Sequence, residues 1–282
     1  MGGCLDITAA SDVGTRDGHE FDETLNVIRI NGGKYVNVDA TSFEGIERAK
    51  KLNAIESGLV EVVVSPRLFA ANTLFTPTHK GRMFTMFRDP IERAVSMFYY
   101  LGYAKWEKTY DPSLVLYELQ DYAKTNQIEN NWMVRSLTNK MEGYLTIQDL
   151  EIAKEVLRRK CLIGLMKEKH VSMKRFELFF GWDEKAKKPG ADECEDKLLS
   201  WGWPNKHKHP LLEPGTEAYR LLQTKNSLDI QLYEYAKILF VQQGLYFRLP
   251  TTMSLSLTHI ENEEQNKQRI SNKGKDDDMF EQ

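Results

Sequence analysis

The chain has 282 residues, 41% hydrophobic and 28% charged, enough for one α/β domain with a substantial core or two small ones. With 41 acidic and 38 basic residues and a net charge of −3, it does not read as a general nucleic-acid binder, although the balance leaves room for a local basic patch. No apolar run approaches the ~18 residues of a transmembrane helix, and the first thirty residues lack the charged start and apolar core of a signal peptide, so the sequence as it stands predicts no route into the secretory pathway.

In chain order, residues 1–24 are polar and without period, which predicts a disordered or poorly packed N-terminus. LNVIRI (Leu25–Ile30) reads as a short strand ended by Gly32-Gly33, and YVNVD (Tyr35–Asp39) alternates like a second. Thr41-Ser42-Phe43-Glu44 offers a helix start for GIERAKKLNAI. VEVVVS (Val60–Ser65) and RMFTMF (Arg82–Phe87) read as strands buried on both faces. Helices are expected near Ser113–Lys124, Gln127–Leu137 and Thr146–Arg159. CLIGL (Cys161–Leu165) reads as an inner strand of the same sheet, followed by a helix that Gly181 ends. Asp183–Gly190 is a charged loop, and SLDIQLYEYAKILFVQQ is the last helix, with Leu228, Leu232, Tyr235, Ala236 and Leu239 on its apolar stripe. After Pro250 the chain turns polar, predicting a disordered tail over 251–282. Strands interleaved with helices predict a parallel sheet flanked by helices.

Cys4, Cys161 and Cys194 show no metal-ligand spacing and form no disulfide framework. Cys161 reads as a buried small hydrophobe. A Cys161–Cys194 bridge is compatible with the sequence, which does not argue for it.

The informative stretch is FTMFRDPIERAVSMFYYL (Phe84–Leu101), a strand running through Arg-Asp-Pro into a helix. Asp89 suits the N-cap and Pro90 the first helical position. Ile91, Ala94, Val95 and Phe98 form the core stripe, while Asp89, Arg93, Ser96 and Tyr100 form a second stripe on another side. Arg88 stands at the carboxyl end of a strand, where α/β sheets place ligands. Its forked donors suit phosphate, a serine hydroxyl adds a donor, and the helix N-terminus adds positive potential. The plain alternative is a helix cap with a surface ion pair and a solvent-facing serine.

RDPIERAVSMFYYL resembles the 3′-phosphate motif of PAPS-dependent sulfotransferases, closest to the Golgi carbohydrate type such as the heparan sulfate 2-O-sulfotransferases. In that family the arginine and the serine eight residues on hold the cofactor's 3′-phosphate; here these are Arg88 and Ser96. NNWMVRSLT (Asn130–Thr138), CLIGLMKEKHVSMKRFELFFGW and LYEYAKILFVQQ (Leu232–Gln243) resemble later elements of the same family, so the resemblance covers about Tyr35 to Gln243. It implies a P-loop NTPase-like sulfotransferase fold over residues 25–250, PAPS as co-substrate without a metal, a carbohydrate hydroxyl as acceptor, and a Golgi setting.

The family opens with a strand, a Lys-x-Gly-Thr-Thr loop and a helix that hold the 5′-phosphosulfate. No such element is legible here. Gly32-Gly33-Lys34 is followed by a strand pattern, so its amides would not converge on a phosphate, and it reads as a turn. The domain is therefore expected to be partial, with its first strand-loop-helix missing. Two functional readings follow: sulfuryl transfer by a truncated enzyme, or an inactive module that binds PAP or a sulfated glycan. A P-loop kinase relative would need a Walker loop, which is not found. The catalytic base is unassigned among Asp39, Arg67 and His79, the last reading as a loop residue. NKHKHP (Asn205–Pro210) occupies about the place of a family cofactor loop, which makes Lys206 and Lys208 candidates beside the alternative of a solvated loop. Arg135 reads either as a ligand contact or as an internal pair.

Overall fold

The computed structural model describes residues 2–105, 110–125, 127–128, 130–200 and 212–247. It is a mixed α/β structure in which helices flank sheets containing parallel strands. The chain starts with a short helix, α1 (Gly2–Leu5), and β1 (Thr8–Ala10). It then forms a 3-10 segment over Asp12–Phe21, interrupted by non-helical backbone at residues 16–18. β2 (Val27–Ile30) and β3 (Gly33–Val36) make an antiparallel hairpin, with Ile30 paired to Gly33. Its two-residue turn has Asn31 at φ 49° and Gly32 at φ 81°, the left-handed pair that an Asn-Gly turn supplies at least cost. Of the Gly32-Gly33-Lys34 stretch expected as a turn, only Gly32 lies in the turn, and Gly33 and Lys34 are paired residues of β3. α2 (Phe43–Lys51) follows, its first turn held by Ser42 Oγ accepting from the Gly45 amide at 3.1 Å.

β4 (Val62–Val63) is only two residues long and half-exposed, not the fully buried strand expected over Val60–Ser65, and Val64 beyond it is exposed. The first sheet has the order β2-β3-β1-β4, with β1 parallel to both neighbours. This corrects the expectation for residues 1–24. They supply a central strand, and Leu5 and Ile7 are fully buried against Leu162, Phe176 and Trp182. A three-residue strand carries too little period to be seen; pairing on both edges is what holds it.

α3 (Leu68–Asn72) leads to β5 (Met83–Phe87) and α4 (Pro90–Leu101). β5 is half-buried except at Phe87. A 3-10 turn at Pro112–Leu116, α5 (Leu119–Lys124) and α6 (Trp132–Thr138) replace the two longer helices expected there. α7 (Ile147–Lys160) begins in a full capping box between Thr146 and Asp149. β6 (Cys161–Leu165) is buried throughout and pairs parallel with β5, Phe87 opposite Leu165. Among the described residues these two form a separate two-stranded sheet, so β6 is not an inner strand of a continuous sheet. α8 (Lys169–Phe180) ends at Gly181 as expected. α9 (Asp183–Ala186) lies inside the expected loop, and α10 (Ala191–Ser200), α11 (Glu217–Lys225) and α12 (Ser227–Gly244) are the last helices among the described residues. The predicted tail, 251–282, lies outside the described residues.

The disulfide joins Cys4 to Cys194, with Cα atoms 5.5 Å apart, and so ties α1 to α10. Cys161 is the buried free thiol, pushed up to about 12 by burial. That is the inert small hydrophobe the sequence suggests.

Candidate functional site: the Arg88 corner

The corner forms as its residues dictate. Asp89 Oδ1 accepts from the amides of Ile91 (2.9 Å) and Glu92 (3.1 Å), and Pro90 occupies the first turn. Ile91, Ala94, Val95 and Phe98 are buried in a cluster with Tyr122, Ala123 and Leu222. Asp89, Arg93, Ser96 and Tyr100, the second stripe, are all half-buried. Arg93 lays its guanidinium over the Trp132 ring, 4.4 Å from the centroid. Ser96 is thus kept out of the core, as its place on that stripe requires.

Arg88 leaves the carboxyl end of β5, and its Nε stands 3.8 Å from Glu92 Oε2. The other oxygen of Glu92 meets Lys167 Nζ at 3.1 Å. Lys167 follows β6 by two residues, so two cations come off the same end of adjacent parallel strands onto one carboxylate. Behind them stands Tyr233 of α12, buried. Its phenol is pushed up to about 12 by burial first and then by the negative charges of Asp89 and Glu92. Glu92, Lys167 and Tyr233 were not singled out in the sequence. The available signals were the four-residue step from Arg88 to Glu92 and the carboxyl-end rule applied to CLIGL.

The corner rests on a buried polar lock between α6 and α12. Asp229 accepts from the amides of Met133 and Val134, both at 2.9 Å, and so caps α6 from another helix. Asn131, in the left-handed region at φ 50°, returns its Oδ1 to the amides of Leu228 (2.8 Å) and Asp229 (3.0 Å). Asn226 Oδ1 accepts from the Asn131 amide at 3.2 Å. One core cluster contains Phe87, Val134, Ile163, Leu232 and Tyr233. Three of the four stretches that carry the sequence resemblance therefore meet around one core, which Phe87 joins at the end of β5, while α4 packs its own stripe into a second cluster. Arg135 has a structural role: it donates to the carbonyls of Asn130 (2.9 Å), Lys140 (3.1 Å) and Gly143 (3.0 Å).

The other candidates that the structure describes make contacts of their own. Asp39 Oδ1 closes a tight turn onto the Thr41 amide and hydroxyl, at 2.7 and 2.6 Å. It also lines a cavity of about 380 Å³ with Thr15, Arg16, Ser42 and Arg48, at the carboxyl ends of β1 and β3. Arg67 donates to the Thr41 carbonyl at 3.0 Å and covers the Phe43 ring. His79 sits in an exposed turn closed with Thr76. After β1 the chain continues as Ser11 and the 3-10 segment, which holds no lysine. Lys206 and Lys208 lie outside the described residues. Among the described residues, no cluster of three or more His, Cys, Asp or Glu side chains could hold a metal ion, and no helix is long and apolar enough to cross a membrane.

No protein-family model, curated protein or solved structure matches this chain.

Proposed function

We propose that the chain is a PAPS-dependent sulfotransferase of the Golgi carbohydrate type, in partial form, with PAPS as donor and a carbohydrate hydroxyl as acceptor. The observation that carries this reading is the Arg88 corner: a guanidinium at the carboxyl end of β5, a helix N-terminus capped by Asp89, and Ser96 off the core stripe two turns along. Among the described residues, Arg88 has a carboxylate at 3.8 Å as its ion-pair partner, which leaves its fork available for the 3′-phosphate. The Cys4–Cys194 disulfide supports an oxidising compartment such as the Golgi lumen.

In the proposed reaction the acceptor oxygen attacks sulfur in line, the new S–O bond forms as the bond to the bridging phosphate oxygen breaks, and PAP departs. The hydroxyl proton goes to a base that the corner does not supply. Arg88 and Ser96 position the donor, and cations around the transferring group stabilise its charge. A second reading is an inactive module that binds PAP or a sulfated glycan. It is favoured by the Asn31-Gly32 hairpin turn, which leads the nearest glycine-lysine stretch into β3 and opens no helix.

The test is PAP binding by calorimetry to the wild-type chain and to Arg88→Ala and Ser96→Ala variants, with labelled PAPS and a glycan panel to read transfer. Binding lost in both variants supports the site. Transfer then separates the enzyme from the binding module. PAP binding that is indifferent to Arg88 overturns both readings.

A further inference from the structure

The arrangement around Glu92 adds a device to this subsite, and the inference rests on the reading just given. Arg88 and Lys167 contribute two positive charges at the carboxyl ends of β5 and β6. Between them stands one carboxylate, Glu92, 3.8 Å from the first and 3.1 Å from the second. Glu92 is not needed to hold the helix start. Asp89 already satisfies the first amides, including that of Glu92 itself. Nor is Glu92 locked in place: its side chain is 41% exposed, and those of Arg88 and Lys167 are 34% and 62% exposed. An exposed pair of this kind is weak and easily exchanged.

We infer that Glu92 is an internal stand-in for the ligand anion and that Lys167 is a second cation of the same subsite. A phosphate entering at Arg88 takes the place of the carboxylate, which swings to solvent. The exchange sets a charge threshold. A phosphate monoester carries close to two negative charges at neutral pH and gains more from two cations than a carboxylate does. A sulfate ester or a phosphodiester, with one charge, gains no advantage over Glu92. The subsite therefore selects terminal phosphate monoesters, and Lys167 and Glu92 are its specificity residues.

The experiment is calorimetric titration of the full chain with adenosine 3′,5′-bisphosphate and, separately, with adenosine 5′-phosphosulfate, which lacks the 3′-phosphate. The variants are Glu92→Gln, Lys167→Ala, their double and Arg88→Ala, each checked for an unchanged unfolding midpoint. Glu92→Gln is expected to tighten bisphosphate binding about threefold or more, the return from removing one exposed competing charge. It should also narrow the preference for the bisphosphate over the phosphosulfate. Lys167→Ala is expected to weaken bisphosphate binding about fivefold, and in its background the Glu92→Gln gain should shrink, since the two act on one site. If Arg88→Ala abolishes binding while both other variants leave it unchanged, the stand-in is overturned and the Arg88 site survives. If Arg88→Ala changes nothing, or no protein binds either nucleotide, the functional reading falls and this inference with it.

Discussion

The side-chain amide of Gln243 pairs with the backbone of β6 beside Ile163, in the manner of a neighbouring strand. Its Oε1 accepts from the Ile163 amide at 2.8 Å, and its Nε2 donates to the Cys161 carbonyl at 2.7 Å. Among the described residues β6 is paired with a strand on one edge only, so its buried outer edge must find partners elsewhere. Further along, Ser172 Oγ accepts from the Leu165 amide at 2.9 Å. Gln243→Ala leaves a donor and an acceptor unpaired in a buried strand and is expected to cost about 1–3 kcal/mol. Denaturant midpoints at constant slope would measure this, and an unchanged midpoint would mean that water replaces the amide freely.

Asp229 offers a second test. It caps α6 across helices, at 2.9 Å to both amides, and is almost fully buried. Asp229→Ala removes both acceptors at once and should destabilise by about 2 kcal/mol or more. Trp132 begins α6 beneath Arg93, so its fluorescence should report the loosened start. Loss of stability with no change at Trp132 would place the effect elsewhere.

The Cys4–Cys194 bridge anchors the segment that supplies the central strand β1. A bridge this long-range restricts the unfolded chain strongly, and Cys194→Ser should lower stability by about 2–5 kcal/mol. Thiol labelling of the unfolded, unreduced protein should find Cys161 alone. Three reactive thiols would remove the bridge.

Glu195 on α10 predicts a pH effect. Burial first, then its hydrogen bond and like charge with Glu177, raise its carboxyl to about 7, above an ordinary 4.5. Glu177 is itself buried and holds Lys174 at 2.9 Å. The folded state thus binds the Glu195 proton more tightly than the unfolded state does. Its contribution is fully present below about pH 4.5 and is lost as pH rises through about 7. Stability should therefore fall between pH 5 and 8 by a step that Glu195→Gln removes. Parallel curves for the two proteins would exclude Glu195 as the source.

What the sequence determined by itself was local. Asp89 and Pro90 start α4, Ile91, Ala94, Val95 and Phe98 face its core, and Asn31-Gly32 turns the hairpin, because caps, helical period and turn residues act over a few neighbours. Arg88 and Ser96 were readable as candidates on the same grounds. Tertiary structure decided the rest. β1 is too short to show a period and exists through two neighbours distant in the chain, while VEVVVS, strongly strand-like, keeps only two paired residues. Lys167 reaches Glu92, Gln243 reaches β6 and Cys4 reaches Cys194 across 75, 80 and 190 positions. Those partners are set by how strands and helices dock, and no local propensity encodes docking.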